Sequence, residues 1–169
     1  VFLQLLEQML EIDMDKQEVI DDTKKHIKEV GRNIKHVCYL LQQRAIIHDA
    51  SKIEKEEFDG FVEYTPKLKG STYGSEEYKK FLEELKPTLD HHYKMNSHHP
   101  EHYKNGIAGM NLVDLIEMFC DWRAASSRQA DGDIRKSLEI NQKRFSYSDE
   151  LKSIFENTVI QLEDLEEDD

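Results

Sequence analysis

Ile20, Thr23, Ile27, Val30, Ile34, Val37 and Leu41 recur at alternating steps of three and four. That spacing draws a stripe along one side of a helix, and it predicts a single helix over 17–43 with the stripe buried. Seven Gly and three Pro in 169 residues leave little material for a turn-rich β fold. Phe2, Leu5, Leu6, Met9 and Leu10 suggest a short amphipathic helix ahead of the long one. A further helix is expected from near His48 toward Phe58, followed by a loop over Tyr64–Ser75, where Pro66, Gly70 and Gly74 fall. Ser75 before Glu76 and Glu77 reads as the N-cap of a helix reaching about His92. Asn111 with Asp114 three residues on opens another, carrying Leu112, Leu115, Ile116, Phe119 and Trp122 to about Ala125. A short helix over 133–144 and a last amphipathic one capped by Ser148 complete the chain. There is no internal repeat and no strand pair. The expected fold is all-α, a compact single-domain helical bundle over 1–162, with Glu163–Asp169 (six acids in seven residues) as a solvated tail.

Charge narrows the function classes. Thirty-five Asp and Glu against 23 Lys and Arg give −12, with no basic stripe, which argues against bulk nucleic-acid binding. The longest apolar runs, Val1-Phe2-Leu3 and Ala45-Ile46-Ile47, are far too short to span a bilayer. No basic stretch followed by an apolar one opens the chain, so no signal peptide is expected, and a first residue other than Met suggests a trimmed piece. Cys38 and Cys120 lie in apolar helical contexts and read as reduced thiols of a cytoplasmic protein. The exposed faces of the terminal helices could support a homodimer. An anionic substrate would need positive charge added at the site, and a metal is the obvious source.

All eight histidines fall between positions 26 and 102: His26, His36, His48, His91, His92, His98, His99 and His102. Singly, each has an ordinary explanation. His26 falls along the buried edge of the long helix and could be a core residue, and His36 shares a polar face with Glu29 and Asn33. His91-His92 could favour a helix C-terminus. Asp121, sharing a face with Glu117 beside an apolar seam, needs a partner. The segment from Tyr93 to Gly109, rich in His, Asn, Pro and Gly, has no helical period. Together the order His, His-Asp, His, His-His, Asp describes a mixed His/Asp set suited to one or two divalent transition metals: Mn, Fe, Co, Ni or Zn.

The pattern His26, His48-Asp49, Asp121 resembles the HD-domain superfamily of helical metal-dependent phosphohydrolases. More narrowly, His48-Asp49-Ala50-Ser51-Lys52, His92-Tyr93-Lys94-Met95-Asn96 with His98-His99-Pro100-Glu101-His102-Tyr103, and Ile116-Glu117-Met118-Phe119-Cys120-Asp121-Trp122 are similar to a phage and bacterial family of HD-like proteins. The resemblance covers roughly residues 20–125. It implies one metal on His26, His48, Asp49 and Asp121, with Asp49 bridging to a second held by His92 (or His91) and His98 (or His99). It also implies hydrolysis of a small phosphorylated metabolite by metal-activated hydroxide, with a nucleotide monophosphate or a cyclic nucleotide as the expected substrate. Asp49, Lys52 and His99 would be catalytic. Lys52, Asn96 and Arg123 would hold the substrate, and His99 (or His102) would protonate the leaving group. The Gly-Tyr-Pro motif of the cyclic-di-GMP-cleaving branch is missing after His98-His99. Two rival readings are an HD-fold diiron oxygenase similar to myo-inositol oxygenase, and a non-catalytic helical module with a structural zinc.

Overall fold

Glu11 to Lys16 contain neither Gly nor Pro, so nothing stops the first helix from running into the second. In the computed structural model, which describes residues 2–72, 75–127 and 132–167 without the side chains of 8–14, 166 and 167, the two merge into one helix, α1 (Phe2–Ile47). It is followed by a 3-10 turn (Ala50–Ile53) and then by α2 (Lys55–Gly70) and α3 (Glu76–Met95). Two more 3-10 turns (Pro100–His102 and Gly106–Gly109) lead to α4 (Leu112–Ser126), α5 (Ile134–Phe145) and α6 (Asp149–Glu167). No strand occurs among the described residues, and the all-α expectation holds. None of the described helices is long and apolar enough to cross a membrane. Cys38 and Cys120 are both free. Asp168 and Asp169 lie outside the described residues, and the rest of the acidic run continues α6 as helix to Glu167.

The chain divides into two units, Val1–Gln43 and Arg44–Asp169. The first is helix throughout its described length. Its stripe is exposed at Ile20, Ile27, Val30, Ile34 and Val37, contrary to the burial expected from the spacing. Periodicity records which face is apolar, not whether anything covers it. His26 is exposed as well, not a core histidine. The side chains of Met9 and Leu10, part of the expected first helix, lie outside the described residues.

In the second unit, the helix expected from His48 begins only at Lys55, because Asp49 adopts left-handed backbone (φ 56°, ψ 16°) and the chain turns through Ala50–Ile53 first. The loop expected from Tyr64 is also overturned. α2 continues through Pro66 to Gly70. Pro66 and Val62 face solvent, where the helix hydrogen bond that proline removes is cheapest to lose, while Tyr64 packs on Phe81 of α3 at 6.5 Å. Gly74 of that expected loop lies outside the described residues.

Gly60 sets how closely α2 and α3 approach. A Cβ there would meet Thr88 Oγ1 at 2.2 Å and Thr88 Cβ at 3.0 Å. Gly60→Ala is therefore expected to destabilise the protein by about 1–3 kcal/mol through overpacking, although alanine alone favours helix by about 1 kcal/mol. Urea unfolding checks this, and a midpoint equal to or above the parent's would refute it.

The core sits among α4, α5 and α6. Met118, Phe119 and Trp122 pack against Ile134, Leu138, Tyr147, Phe155 and Val159. Trp122 stacks on Phe145 (ring centroids 5.9 Å apart), and the Tyr147 hydroxyl donates to the Leu138 carbonyl at 2.7 Å. Asn111 and Asp114 form the expected capping box of α4, and Ser75 caps α3 through the Tyr78 N–H. Leu115, Met118, Phe119 and Trp122 give one side of α4 to the core, which leaves Asp114, Glu117 and Asp121 at steps of three and four on another. The core thus holds a row of carboxylates in place.

Candidate metal centre

The left-handed turn at Asp49, which aspartate tolerates better than most side chains, places its carboxylate against histidines from two other segments. His92 comes from the last turns of α3, and His98 and His99 from the loop that follows. His92 Nε2 lies 3.2 Å and His98 Nε2 3.5 Å from Asp49 Oδ1, and His92 Nε2 lies 3.0 Å from His99 Nε2. A second group shares the same aspartate: His48 Nε2 is 3.5 Å from Asp49 Oδ2 and 3.7 Å from Asp121 Oδ1. Asp49, His92, His98 and His99 form one set that could hold a metal ion, and His48, Asp49 and Asp121 form another. A third combines His48, His98 and Glu117.

Ligand atoms about 2.1 Å from a common ion lie about 3.0–3.4 Å apart, close to the spacing of the first set. Two buried atoms there, Asp49 Oδ1 and His98 Nε2, have no hydrogen-bond partner. An unpaired carboxylate oxygen and an unpaired imidazole nitrogen facing each other are costly in a protein interior, and a cation is what would satisfy both. The residues fit a metal.

Two carboxylates behind the rings set their orientation. Glu57, fully buried at the start of α2, accepts from His91 Nδ1 and His92 Nδ1, each at 2.8 Å, and from Ser51 Oγ at 3.0 Å. Glu117 of α4 accepts from His48 Nδ1 at 2.9 Å, His98 Nδ1 at 3.1 Å and Arg44 Nη1 at 3.1 Å. With Nδ1 occupied, His48, His92 and His98 turn Nε2 toward Asp49, the arrangement by which carboxylates fix imidazole ligands. Burial opposes the charge on Glu117, but the hydrogen bonds from His48 and His98 bring it down to about 2. Burial likewise opposes the charge on Asp49, and the adjacent His92 and Lys52 hold that carboxyl well below its usual range. Hydrogen bonding to Asp121 and then Glu117 outweighs burial at His48 and raises it to about 10. His99 moves the other way, to about 3, through burial and then the neighbouring His98 and His92.

Most of the expected site is brought together: His48, Asp49, His92, His98 and Asp121 converge, with His92 rather than His91 turned toward Asp49. His26 belongs to the first unit and is exposed, and the sets above are drawn wholly from the second. His99, expected to protonate a leaving group, is kept as the neutral imidazole by burial and its histidine neighbours, and a neutral ring nitrogen suits a ligand. His102 is exposed and donates through Nδ1 to the Tyr93 carbonyl at 2.9 Å. Asn96 spends its amide on Ser51 Oγ (2.7 Å) and the His92 carbonyl (2.9 Å), which makes it a clamp between loop and helix. Lys52 pairs with Asp49 Oδ2 and lies 5.3 Å over the Phe61 ring. Arg123 is half-buried on α4.

A cleft of about 1330 Å³ opens beside the second set, lined by His48, Asp49, Lys52 and Asp121 at one end and by α2 and α3 side chains along its length. A model of a family of unknown function matches residues 15–165. The chain belongs to that family, DUF5662. The match includes every residue of the centre and all of α2 to α5. No curated protein and no solved structure matches the chain.

The role of Glu57 was not legible beforehand. It is one of two adjacent acids, Glu56-Glu57, and only packing decides which is buried. Arg44 carried a faint signal, since it precedes His48 by four residues. It donates to Ser97 Oγ, Asp114 Oδ1 and Glu117 Oε2 at 2.7, 2.8 and 3.1 Å.

Proposed function

We propose that this protein is a metal-dependent phosphohydrolase that cleaves a phosphate monoester of a small metabolite at the centre built around Asp49. The observation that carries the reading is the division of that one carboxylate: Oδ1 faces His92 and His98, and Oδ2 faces His48 and Lys52. One side chain thus serves two ligand sets, one of which lies on the wall of an open cleft. His92, His98 and His99 with Asp49 would hold one ion, and His48 and Asp121 with Asp49 a second. The mixed imidazole and carboxylate donors suit Mn, Fe, Co, Ni or Zn. When bound, such ions supply Lewis acidity toward a phosphoryl oxygen and make a water molecule more acidic.

In the reaction a water oxygen forms the new bond to phosphorus, the bond from phosphorus to the ester oxygen breaks, and that oxygen takes a proton to leave as an alcohol. Lys52, on the cleft wall, can take a phosphoryl oxygen and offset its charge in a chain that is otherwise strongly acidic. Glu57 and Glu117 hold the imidazoles in place throughout. The resemblance of His48-Asp49 and Asp121 to the HD-domain pattern supports this reading. The first histidine of that pattern, His26, is exposed and is not among the ligand sets described above.

The test is phosphate release from a panel of monoesters by the full chain reconstituted in turn with Mn²⁺, Fe²⁺, Co²⁺, Ni²⁺ and Zn²⁺. Release with at least one metal, abolished in Asp49→Asn, is the expected result. Absence of release with every metal would overturn the reading, and bound iron with visible absorbance would move it to the oxygenase alternative.

A further inference from the structure

We infer that the cleft takes a phosphate monoester with an apolar body, an alkyl-type chain rather than a sugar or a nucleoside. The phosphate end of this inference rests on the proposed hydrolase reading, while the body is argued from the cleft walls. The lining changes character abruptly at Lys52. On one side lie the charged groups His48, Asp49 and Asp121. On the other, starting with Phe61 directly under the Lys52 ammonium, the walls carry Leu68, Leu82, Leu85 and Leu89 from α2 and α3. A ligand that complements this surface has a compact anionic head at the centre and a body without hydrogen-bonding groups along the helices.

The polar inventory of the walls argues against a sugar or a base. Away from the centre, the lining holds three hydroxyls (Thr65, Ser71 and Tyr78) and the Lys69 ammonium, with no carboxylate and no side-chain amide among the described residues. The Ser71 hydroxyl already donates to the Leu68 carbonyl at 3.1 Å. Sugar hydroxyls and base edges are held best by carboxylates and side-chain amides, which offer several acceptor or donor sites at once, and each polar group buried unpaired weakens binding. An alkyl chain has no such groups to satisfy, and every methylene it buries against the leucines gains affinity.

Calorimetric titration of the Mn²⁺-reconstituted full chain with n-alkylphosphonates from butyl to octyl reads this directly. Kd is expected to fall about fourfold per added methylene, with ribose 5-phosphate and adenosine monophosphate binding more weakly than octylphosphonate. Leu82→Gln should flatten the series while leaving the Mn²⁺ stoichiometry at the parent value, which shows that the variant is folded and its centre intact. A flat series in the parent, as a groove filled by a protein segment would give, overturns the inference, and so does tighter binding of the nucleotide. Octyl phosphate turnover separates the two claims. Phosphate release with a flat series removes the apolar body and leaves the hydrolase. A chain-length-dependent Kd without release from any ester removes the hydrolase and leaves the ligand class.

Discussion

Asp49→Asn is expected to empty the centre of metal, whereas Asp121→Ala should remove about half of it. Asp49 is common to the two sets that flank it: its Oδ1 lies 3.2 Å from His92 Nε2, and its Oδ2 lies 3.5 Å from His48 Nε2. Replacing that oxygen pair with an amide removes the shared negative charge and puts donor hydrogens where an ion would sit. Asparagine tolerates left-handed backbone, so the turn at position 49 survives the change. Asp121 belongs to one set only, and its loss leaves Asp49, His92, His98 and His99 in place. The outer carboxylates give an intermediate case. Glu57→Gln should retain both ions with affinity lowered about 10–100-fold, the usual cost of removing a group that orients a ligand. The loss in Asp49→Asn should exceed that range. Metal analysis after equilibrium dialysis checks the order: about two equivalents in the parent, near none in Asp49→Asn and about one in Asp121→Ala. Equal metal in parent and Asp49→Asn would remove the basis for a shared centre.

Asp114→Ala should be the most destabilising single change near the centre, without touching a candidate ligand. The Asp114 side chain is fully buried and accepts from Arg44 Nη2 (2.8 Å), Ser97 Oγ (2.7 Å), the Tyr103 hydroxyl (2.7 Å) and the Asn111 N–H (3.2 Å). Burial opposes its charge, but the hydrogen bonds from Ser97 and Tyr103 prevail and hold its carboxyl below the ordinary value. It ties together the end of α1, the loop that carries His98 and His99, and the first turn of α4. Truncation leaves Arg44 and two hydroxyls facing a cavity and deletes half of a capping box. Breaking a buried ion pair from one side costs about 3–5 kcal/mol, and because Arg44 is 30 % exposed the lower end applies. A loss of about 3 kcal/mol corresponds to a Tm lower by roughly 10 °C. Scanning calorimetry measures it, and a Tm within a few degrees of the parent's would show that the hub contributes little. Saturating metal should restore part of the loss, since an ion that binds only the folded chain stabilises it by mass action.

The helical class, the caps of α3 and α4 and the donor types of the centre were legible because each depends on local information. Asn111 with Asp114, and Ser75 ahead of two glutamates, are cap signals that act within one turn, and the structure uses both. The run of histidines named the donor type before any geometry was known. Three things depended on tertiary structure. Pro66 sits inside α2 because packing of Tyr64 and its neighbours on α3 outweighs one lost hydrogen bond, a balance that local propensity does not contain. The stripe from Ile20 to Leu41 specifies an apolar face but not a partner, and the face is exposed at six of its seven positions. The choice of His92 over His91, and of Glu57 over Glu56, followed from which side chain faces inward once α2 and α3 pack together. Sequence by itself determined the helical class, the caps of α3 and α4, and that imidazole and carboxylate donors are present. Tertiary structure decided which of those donors meet, because convergence at Asp49 is a long-range property that no single turn of helix encodes.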